Sequence, residues 1–242
     1  MNKAYKLLSL QEGISHKKAK EWIDKGLVSV GQKKIHLARM ELPQSSVFKI
    51  EYIKKPEKLF ENHELLAVNK PAFIESYELA KQFRDWTLLH RLDQETSGVI
   101  LLVKENSDFH IKAKKAFKNQ QVYKEYRALV SGFVSEKVII NKPISTIKKG
   151  FAKSRIDANG LFAHTEIEPL EIFGKKTLLK AVIKTGRTHQ IRVHLKSIGH
   201  SIVGDRIYGG IENSRLMLHS YCIRIFDYEI ISPLPKEFQR FG

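Results

Sequence analysis

Cysteine is nearly absent: 242 residues hold a single one, Cys222. An internal disulfide and a cysteine-built zinc site are therefore excluded. Cys222 lies in an apolar stretch, where a packed thiol is expected rather than a nucleophile. Long apolar runs are missing too; none approaches the roughly 20 residues that a membrane-spanning helix requires. The opening stretch, MNKAYKLLSLQEGISHKKAKEW, lacks an apolar core and a small-residue cleavage site, so it does not read as a secretory signal. A cytoplasmic protein is expected. There is no Walker A loop, no G-x-G-x-x-G fingerprint, and no H-x-E with a downstream C-x-x-C. GDRIYGG carries glycines at the wrong spacing for a phosphate cradle. His189 and His194 are five apart, about 140° around a helix, which makes a poor metal pair. No repeat or low-complexity segment is present.

Negative charge is scarce. Lysine and arginine total 42 against 26 acidic residues, a net charge of +16. Self-repulsion of that size is costly unless a polyanion is the usual partner, and nucleic acid is the leading class. A basic surface that merely aids solubility is the bland alternative. An anionic membrane fits worse, because no long amphipathic helix with a bulky apolar face is visible. Hydrophobic residues at 42% and charged residues at 28% are ordinary for a soluble globular protein of one or two domains.

Residues 1–53 read as a small α/β unit. Ser15 is a natural N-cap for a helix that puts Ala19, Trp22 and Ile23 on one face and points Lys17, Lys18 and Lys20 mostly elsewhere. Gly26 stops it. A strand, a turn at Gly31-Gln32 and a second strand follow, then VFKIEYI. Residues 54–60 are polar, contain Pro56 and read as a linker. Residues 61–242 read as a second domain of short strands and few helices, an α+β pattern rather than alternating βαβ units. Strands are expected at ELLAVNKPA, VILLV, VYKEYRALVSGFV, 138–144, 163–171, 177–185 and LHSYCIRIFDYEI. Helices are expected at FHIKAKKAFKN and THQIRVHLKSIGH.

Two polar clusters interrupt these apolar elements. One is HRLDQETSG before VILLV. The other is KTGRTHQIRVHL, residues 184–195, at a strand-to-helix turn. Alone, Asp93 reads most simply as a turn or capping aspartate, and Arg192 as a solvated helix residue. Together the clusters resemble the RluA-type pseudouridine synthases. The H-R-L-D segment runs into T-S-G and an apolar strand, KEY leads into ALVSG, and GRTHQIRVHLKSIGHSIVGDRIYGG follows, with LLAVNKPA before and RLMLHSYCIRIF after. The likeness covers residues 64–238 in order. The first 53 residues are similar to a small RNA-binding domain shared by a ribosomal small-subunit protein and many of these synthases. The chain departs from the pattern after Lys70-Pro71, where KPAFIESYELAKQF replaces a glycine and a VHP-like loop, and the N-terminal helix lacks the usual arginines.

The resemblance implies a mixed, mostly antiparallel central sheet with flanking helices and an RNA uridine isomerase that consumes no water or cofactor. Asp93 would act at the sugar, covalently or by favouring a glycal, where an oxocarbenium-like centre needs one carboxylate. Arg192 would pair with Asp93, since a buried carboxylate stays ionised only with such a partner. Arg91 would fill the space left by the flipped nucleotide or hold that nucleotide. Tyr126 would stack on the uracil, and Ile191 would contact its other face. Lys70, Lys124 and Arg187 would touch phosphate or support the site. Lys17, Lys18 and Lys20, with Lys112, Lys114 and Lys115, are candidate phosphate contacts. The implied partner is RNA, ribosomal large-subunit RNA first and transfer RNA second. No metal and no membrane are needed, and a monomer is expected. The runner-up is a non-catalytic RNA-binding or ribosome-assembly factor on the same scaffold. A metal-dependent nuclease would need a carboxylate cluster that the sequence lacks.

Overall fold

The computed structural model of the chain describes residues 1–31, 33–149 and 151–238. They form two compact units, Met1–Lys54 and Lys55–Gly242. In the first, β1 (Asn2–Lys3) pairs with β4 (Glu41–Leu42), and α1 (Ala4–Glu12) and α2 (His16–Asp24) pack on a sheet of β2 (Val28–Val30), β3 (Lys33–Ile35) and β5 (Phe48–Ile50). Ser15 caps α2 by accepting from the Lys18 N–H at 3.2 Å. Gly26 follows its end at φ 71, where a side chain would be strained. The sequence pattern singled out one helix here; the structure has two. In α1, Ala4, Leu7 and Leu8 recur at helical spacing and are buried with Ala19, Ile23, Val28 and Phe48. Of the turn expected at Gly31-Gln32, Gln32 lies outside the described residues.

The second unit is built on one ten-stranded sheet. Its elements in chain order are β6 (Glu57–Glu61), β7 (Leu65–Lys70), α3 (Ser76–Ala80), β8 (Thr87–Leu88), β9 (Ser97–Val103), α4 (Asp108–Lys118) and β10 (Tyr123–Ser131). Then come β11 (Val138–Ile140), β12 (Ile144–Lys149), β13 (Phe151–Ile156), β14 (Thr165–Phe173), β15 (Lys176–Ile183), α5 (Gln190–Ser197), β16 (Leu218–Ile225) and β17 (Tyr228–Ile231). The sheet runs β11-β14-β15-β10-β16-β9-β7-β6, with β8 on β9 and β17 on β16; β12 and β13 form a separate hairpin. The β9–β16 contact is parallel and the other described pairings are antiparallel, so the sheet is mixed, as expected.

Every residue of Ser97–Val103 is buried, which is why this strand is a near-continuous apolar run rather than an alternation. Val99, Leu101 and Val103 pack with Phe109, Ala113 and Ala116 of α4. Each of these valine, leucine and phenylalanine side chains stabilises the fold by ~1.5–3 kcal/mol.

Two expectations are corrected. Residues 57–60 are not linker: Glu57–Glu61 is an edge strand paired on one side with β7. An edge strand is only half covered and so keeps the polar composition that suggested a linker. The late strand at LHSYCIRIFDYEI is a hairpin, β16 and β17, that turns at Phe226 with φ 51. In β10, Lys124, Glu125 and Tyr126 are all buried, because both faces are covered and the pairing with β16 is irregular between Glu125 and Tyr126. Among the described residues, no helix is long and apolar enough to cross a membrane.

Candidate active site

Residues 89–96 enter β9 as a loop that the rest of the unit pins from three sides. The His90 ring stacks on Phe117 with centroids 5.4 Å apart, and its Nε2 accepts the Leu101 N–H at 3.1 Å. Burial, followed by repulsion from the Lys124 ammonium, pushes the imidazole down to about 3, so it is neutral. Ser76 Oγ clamps Leu92 twice, accepting from its N–H at 3.0 Å and donating to its carbonyl at 2.9 Å. Lys70 Nζ donates to the carbonyls of Pro71, Ile74 and Gln94 at 3.0, 2.8 and 3.1 Å. Three residues after Asp93 the chain closes a turn into β9, with the Thr96 N–H on the Asp93 carbonyl at 3.1 Å. Asp93 is left with its side chain 28% exposed in a cleft of about 1280 Å³.

The second cluster forms the opposite wall. Gln190, buried, braces the turn between β15 and α5: its Oε1 accepts from Thr185 Oγ1 at 2.7 Å and the Arg187 N–H at 3.0 Å, and its Nε2 donates to the His164 carbonyl at 2.9 Å. His189 precedes α5 in the left-handed region, φ 54, a strained backbone for a residue with a side chain. Its Nδ1 meets Tyr208 Oη at 3.0 Å and its Nε2 lies 3.9 Å from Asp93 Oδ2. Burial lowers its pKa, against the pull of the Asp93 carboxylate.

Arg192, 2% exposed, has Nη1 at 3.4 Å from Asp93 Oδ2. Its main partner is another residue. Nε and Nη2 donate to Asp205 Oδ2 and Oδ1 at 2.8 and 2.9 Å, a bidentate pair with a carboxylate that is fully buried. Asp205 Oδ1 also accepts from the Ile207 and Tyr208 N–H groups at 3.0 and 3.1 Å. Burial works against the Arg192 charge. The hydrogen bonds and charge of Asp205, helped by Asp93 and Glu95, outweigh it and raise the guanidinium's pKa. Arg192 thus contacts both carboxylates, and Asp93 takes the nitrogen that Asp205 leaves.

The other expected residues fall into two groups. Arg91, Tyr126 and Arg187 line the cleft, and Ile191 joins them around an adjoining cavity of about 80 Å³. Arg91 is exposed, with its guanidinium 5.9 Å from the Tyr77 ring centroid. Tyr126 is 7% exposed; burial raises its phenol's pKa and the Asp93 charge adds to that. Arg187 Nε donates to the Phe162 carbonyl at 2.9 Å. Lys70 and Lys124 are corrected as phosphate contacts. Lys70 is fully buried and spent on three carbonyls; Lys124 is buried and donates to the carbonyls of Lys184 and Thr185 at 3.1 and 3.4 Å. Lys17 and Lys18 are exposed on α2, and Lys20 is half-buried with its ammonium 4.5 Å from the Tyr5 ring centroid. Among the described residues, no three His, Cys, Asp or Glu side chains are grouped to hold a metal ion.

Residues 52–197 match the family model described as RNA pseudouridylate synthase. The chain belongs to this family. It is an isomerase by that membership. It is 58% identical over 241 residues to an RNA pseudouridine synthase of Helicobacter pylori (strain J99), covering 99% of this chain and 100% of that one. It is 36% identical over 191 residues to ribosomal large subunit pseudouridine synthase C of Vibrio cholerae, covering 67% of this chain and 58% of that one. Among solved structures, human RNA pseudouridylate synthase domain containing 1 aligns with a TM-score of 0.64 at 27% identity, covering 74% of this chain and 83% of that one. In this pseudouridine synthase the residue that sequence reasoning missed is Asp205. Its signal was present in VGDRIYGG: a Cβ on Gly204 would lie 1.9 Å from the Arg215 carbonyl oxygen, and one on Gly210 1.9 Å from that of Ile202. The glycines let backbones pass close together, and that wrap delivers Asp205 to Arg192.

Proposed function

We propose that this pseudouridine synthase isomerises uridine in large-subunit ribosomal RNA, with Asp93 acting at the sugar. The observation that carries the reading is the Asp93 carboxylate on the cleft, faced at 3.4 Å by a guanidinium that Asp205 holds from behind. The N1–C1′ bond of a flipped uridine breaks while the carboxylate stabilises or traps the sugar cation. The uracil turns, C5 bonds to C1′, the C5 proton leaves to solvent, and N1, released from the sugar, takes up a proton. Tyr126 packs on the uracil, Ile191 contacts its other face, and Arg91 fills the gap in the RNA. A lone carboxylate suits an isomerase, which has no water to activate. The name of the Vibrio cholerae relative supports ribosomal RNA as the target. Residues 1–54 serve as an RNA-binding unit through Lys17, Lys18 and Lys20. The enzyme works in the cytoplasm as a monomer, with neither metal nor cofactor.

The test is to map pseudouridine in total RNA from cells with the gene, without it, and with Asp93→Asn. A site in large-subunit RNA should vanish on deletion and stay absent in the Asp93→Asn strain, with the variant protein folded. Retention of that site in the variant overturns the role of Asp93. A lost site in transfer RNA moves the substrate, and no lost site favours a non-catalytic factor.

A further inference from the structure

The segment where this chain leaves its family's pattern, KPAFIESYELAKQF, is not slack. It is stitched to the loop that carries Arg91 and Asp93. Ser76 Oγ holds Leu92 on both backbone groups, the Phe73 N–H donates to the Gln94 carbonyl at 2.8 Å, and Lys70 ties the carbonyls of Ile74 and Gln94 together. The residue after Ser76 is Tyr77, on α3. It lines the cleft, yet it is 59% exposed, so its ring does no core packing. The Arg91 guanidinium sits 5.9 Å from the ring centroid and forms no ion pair among the described residues. The same wall repeats the theme. Trp86 also lines the cleft, with Lys104 Nζ 4.2 Å from its ring centroid. Alternating rings and cations along a basic groove are how proteins grip unpaired nucleotides: the cations follow phosphate and each ring takes the face of a base.

We propose that Tyr77 is a stacking residue for the substrate, taking the nucleobase beside the uridine that enters the cleft. The proposal rests on the reading of the cleft as an RNA site. Arg91, held over one side of the ring, marks the place where the flipped nucleotide leaves its neighbours. A base that has lost its stacking partner there gains a new one on Tyr77. The doubled Ser76–Leu92 clamp keeps that ring in register with Asp93, so stacking sets which uridine is presented. Tyr77 is thereby a specificity-determining residue and not a catalytic one.

The experiment uses the full chain and total RNA from cells lacking the gene, which carries the target uridine unmodified whichever molecule bears it. Tyr77→Ala should raise the RNA concentration for half-maximal pseudouridine formation about tenfold, the loss of one stacked base, while kcat at saturating RNA falls less than twofold. Tyr77→Phe, which keeps the ring, should match the wild type. Tyr77→Leu, which keeps apolar bulk without a ring, should behave like Tyr77→Ala. An unchanged KM in Tyr77→Ala overturns the proposal, and so does a Tyr77→Leu protein that matches wild type. A fall in kcat alone, with KM kept, would also overturn it. If wild type converts no uridine in this RNA, the functional reading itself fails and the stacking role falls with it.

Discussion

Arg192 is shared unequally between two aspartates. It forks onto buried Asp205 at 2.8 and 2.9 Å and reaches half-exposed Asp93 with one nitrogen at 3.4 Å. The shorter bonds lie away from the cleft, so the guanidinium is anchored by the residue that cannot meet substrate. Asp93 then faces a fixed positive charge without being tied up by it. Removing one partner of a buried pair leaves an uncompensated charge and costs ~3–5 kcal/mol.

Asp205→Ala should therefore lower thermal stability by about 10 °C for a unit of this size and cut turnover, because Arg192 is freed to close on Asp93. Thermal melts and pseudouridine formation check both effects. Arg192→Ala should lose stability by a similar amount, and the double variant should lose less than the sum, since the two residues act as one pair. Additive losses would show that the pair is not a unit.

The Asp93 and Arg192 segments stood out in the sequence because each packs polar residues of defined order into an apolar element. Asp205 did not, because its meaning lies in a partner 13 residues away that only the chain's wrap through Gly204 and Gly210 supplies. Strand β9 was legible as a fully apolar run, but its parallel pairing with β16, about 120 residues on, leaves no local mark. The buried states of Lys70 and Lys124 were illegible for a related reason. A lysine written into a strand looks the same whether its ammonium reaches water or backbone carbonyls. Strand β6 was hidden by its edge position, which lets it stay polar.

Lys70 gives a pH prediction. Burial, then repulsion from Arg215, lowers its pKa from 10.5 to about 7, against the opposing pull of Asp93. Between those values the unfolded chain holds a proton at Lys70 that the folded chain has released. Stability therefore rises with pH across this window, and the contribution is lost as pH falls through about 7. From pH 7 to pH 9 the gain should approach about 2 kcal/mol. Urea unfolding at the two pH values should show a gain larger by that amount in the wild type than in Lys70→Met. Lys124, lowered to about 8 by burial, contributes in the same direction to both proteins and cancels in the comparison.

Gly98, beside the Asp93 turn, should resist replacement. It lies at φ 108 opposite Ser220 in the parallel contact, and a Cβ would sit 2.1 Å from the Ser220 carbonyl oxygen. Alanine must either push β9 from β16 or displace the turn that carries Asp93. Gly98→Ala should cost at least about 3 kcal/mol and most of the turnover. Gly174→Ala is the control, since φ 54 is strained but nothing lies within 4 Å; it should cost only about 1 kcal/mol. Comparable melts for the two variants would contradict the close-approach argument.

Salt dependence separates the two uses of positive charge in this chain. A protein at +16 that holds RNA through phosphates displaces one condensed counterion for each contact, so log affinity falls linearly with log salt. Lys17, Lys18 and Lys20 stand on α2, outside the unit that contains the cleft. If they contact phosphate, the triple change to alanine should reduce the slope by about 2, at roughly 0.7 per single-strand contact, and weaken binding alike for all sequences. Tyr77→Ala removes no charge and should leave the slope at its wild-type value while lowering affinity at every salt concentration. Filter binding of total RNA between 50 and 200 mM salt, an interval in which such slopes are readily measured, reads both quantities at once. A slope unchanged in the triple variant would take those lysines out of the RNA contact. A slope reduced in Tyr77→Ala would mean that the ring acts through the placement of the Arg91 charge rather than through a base.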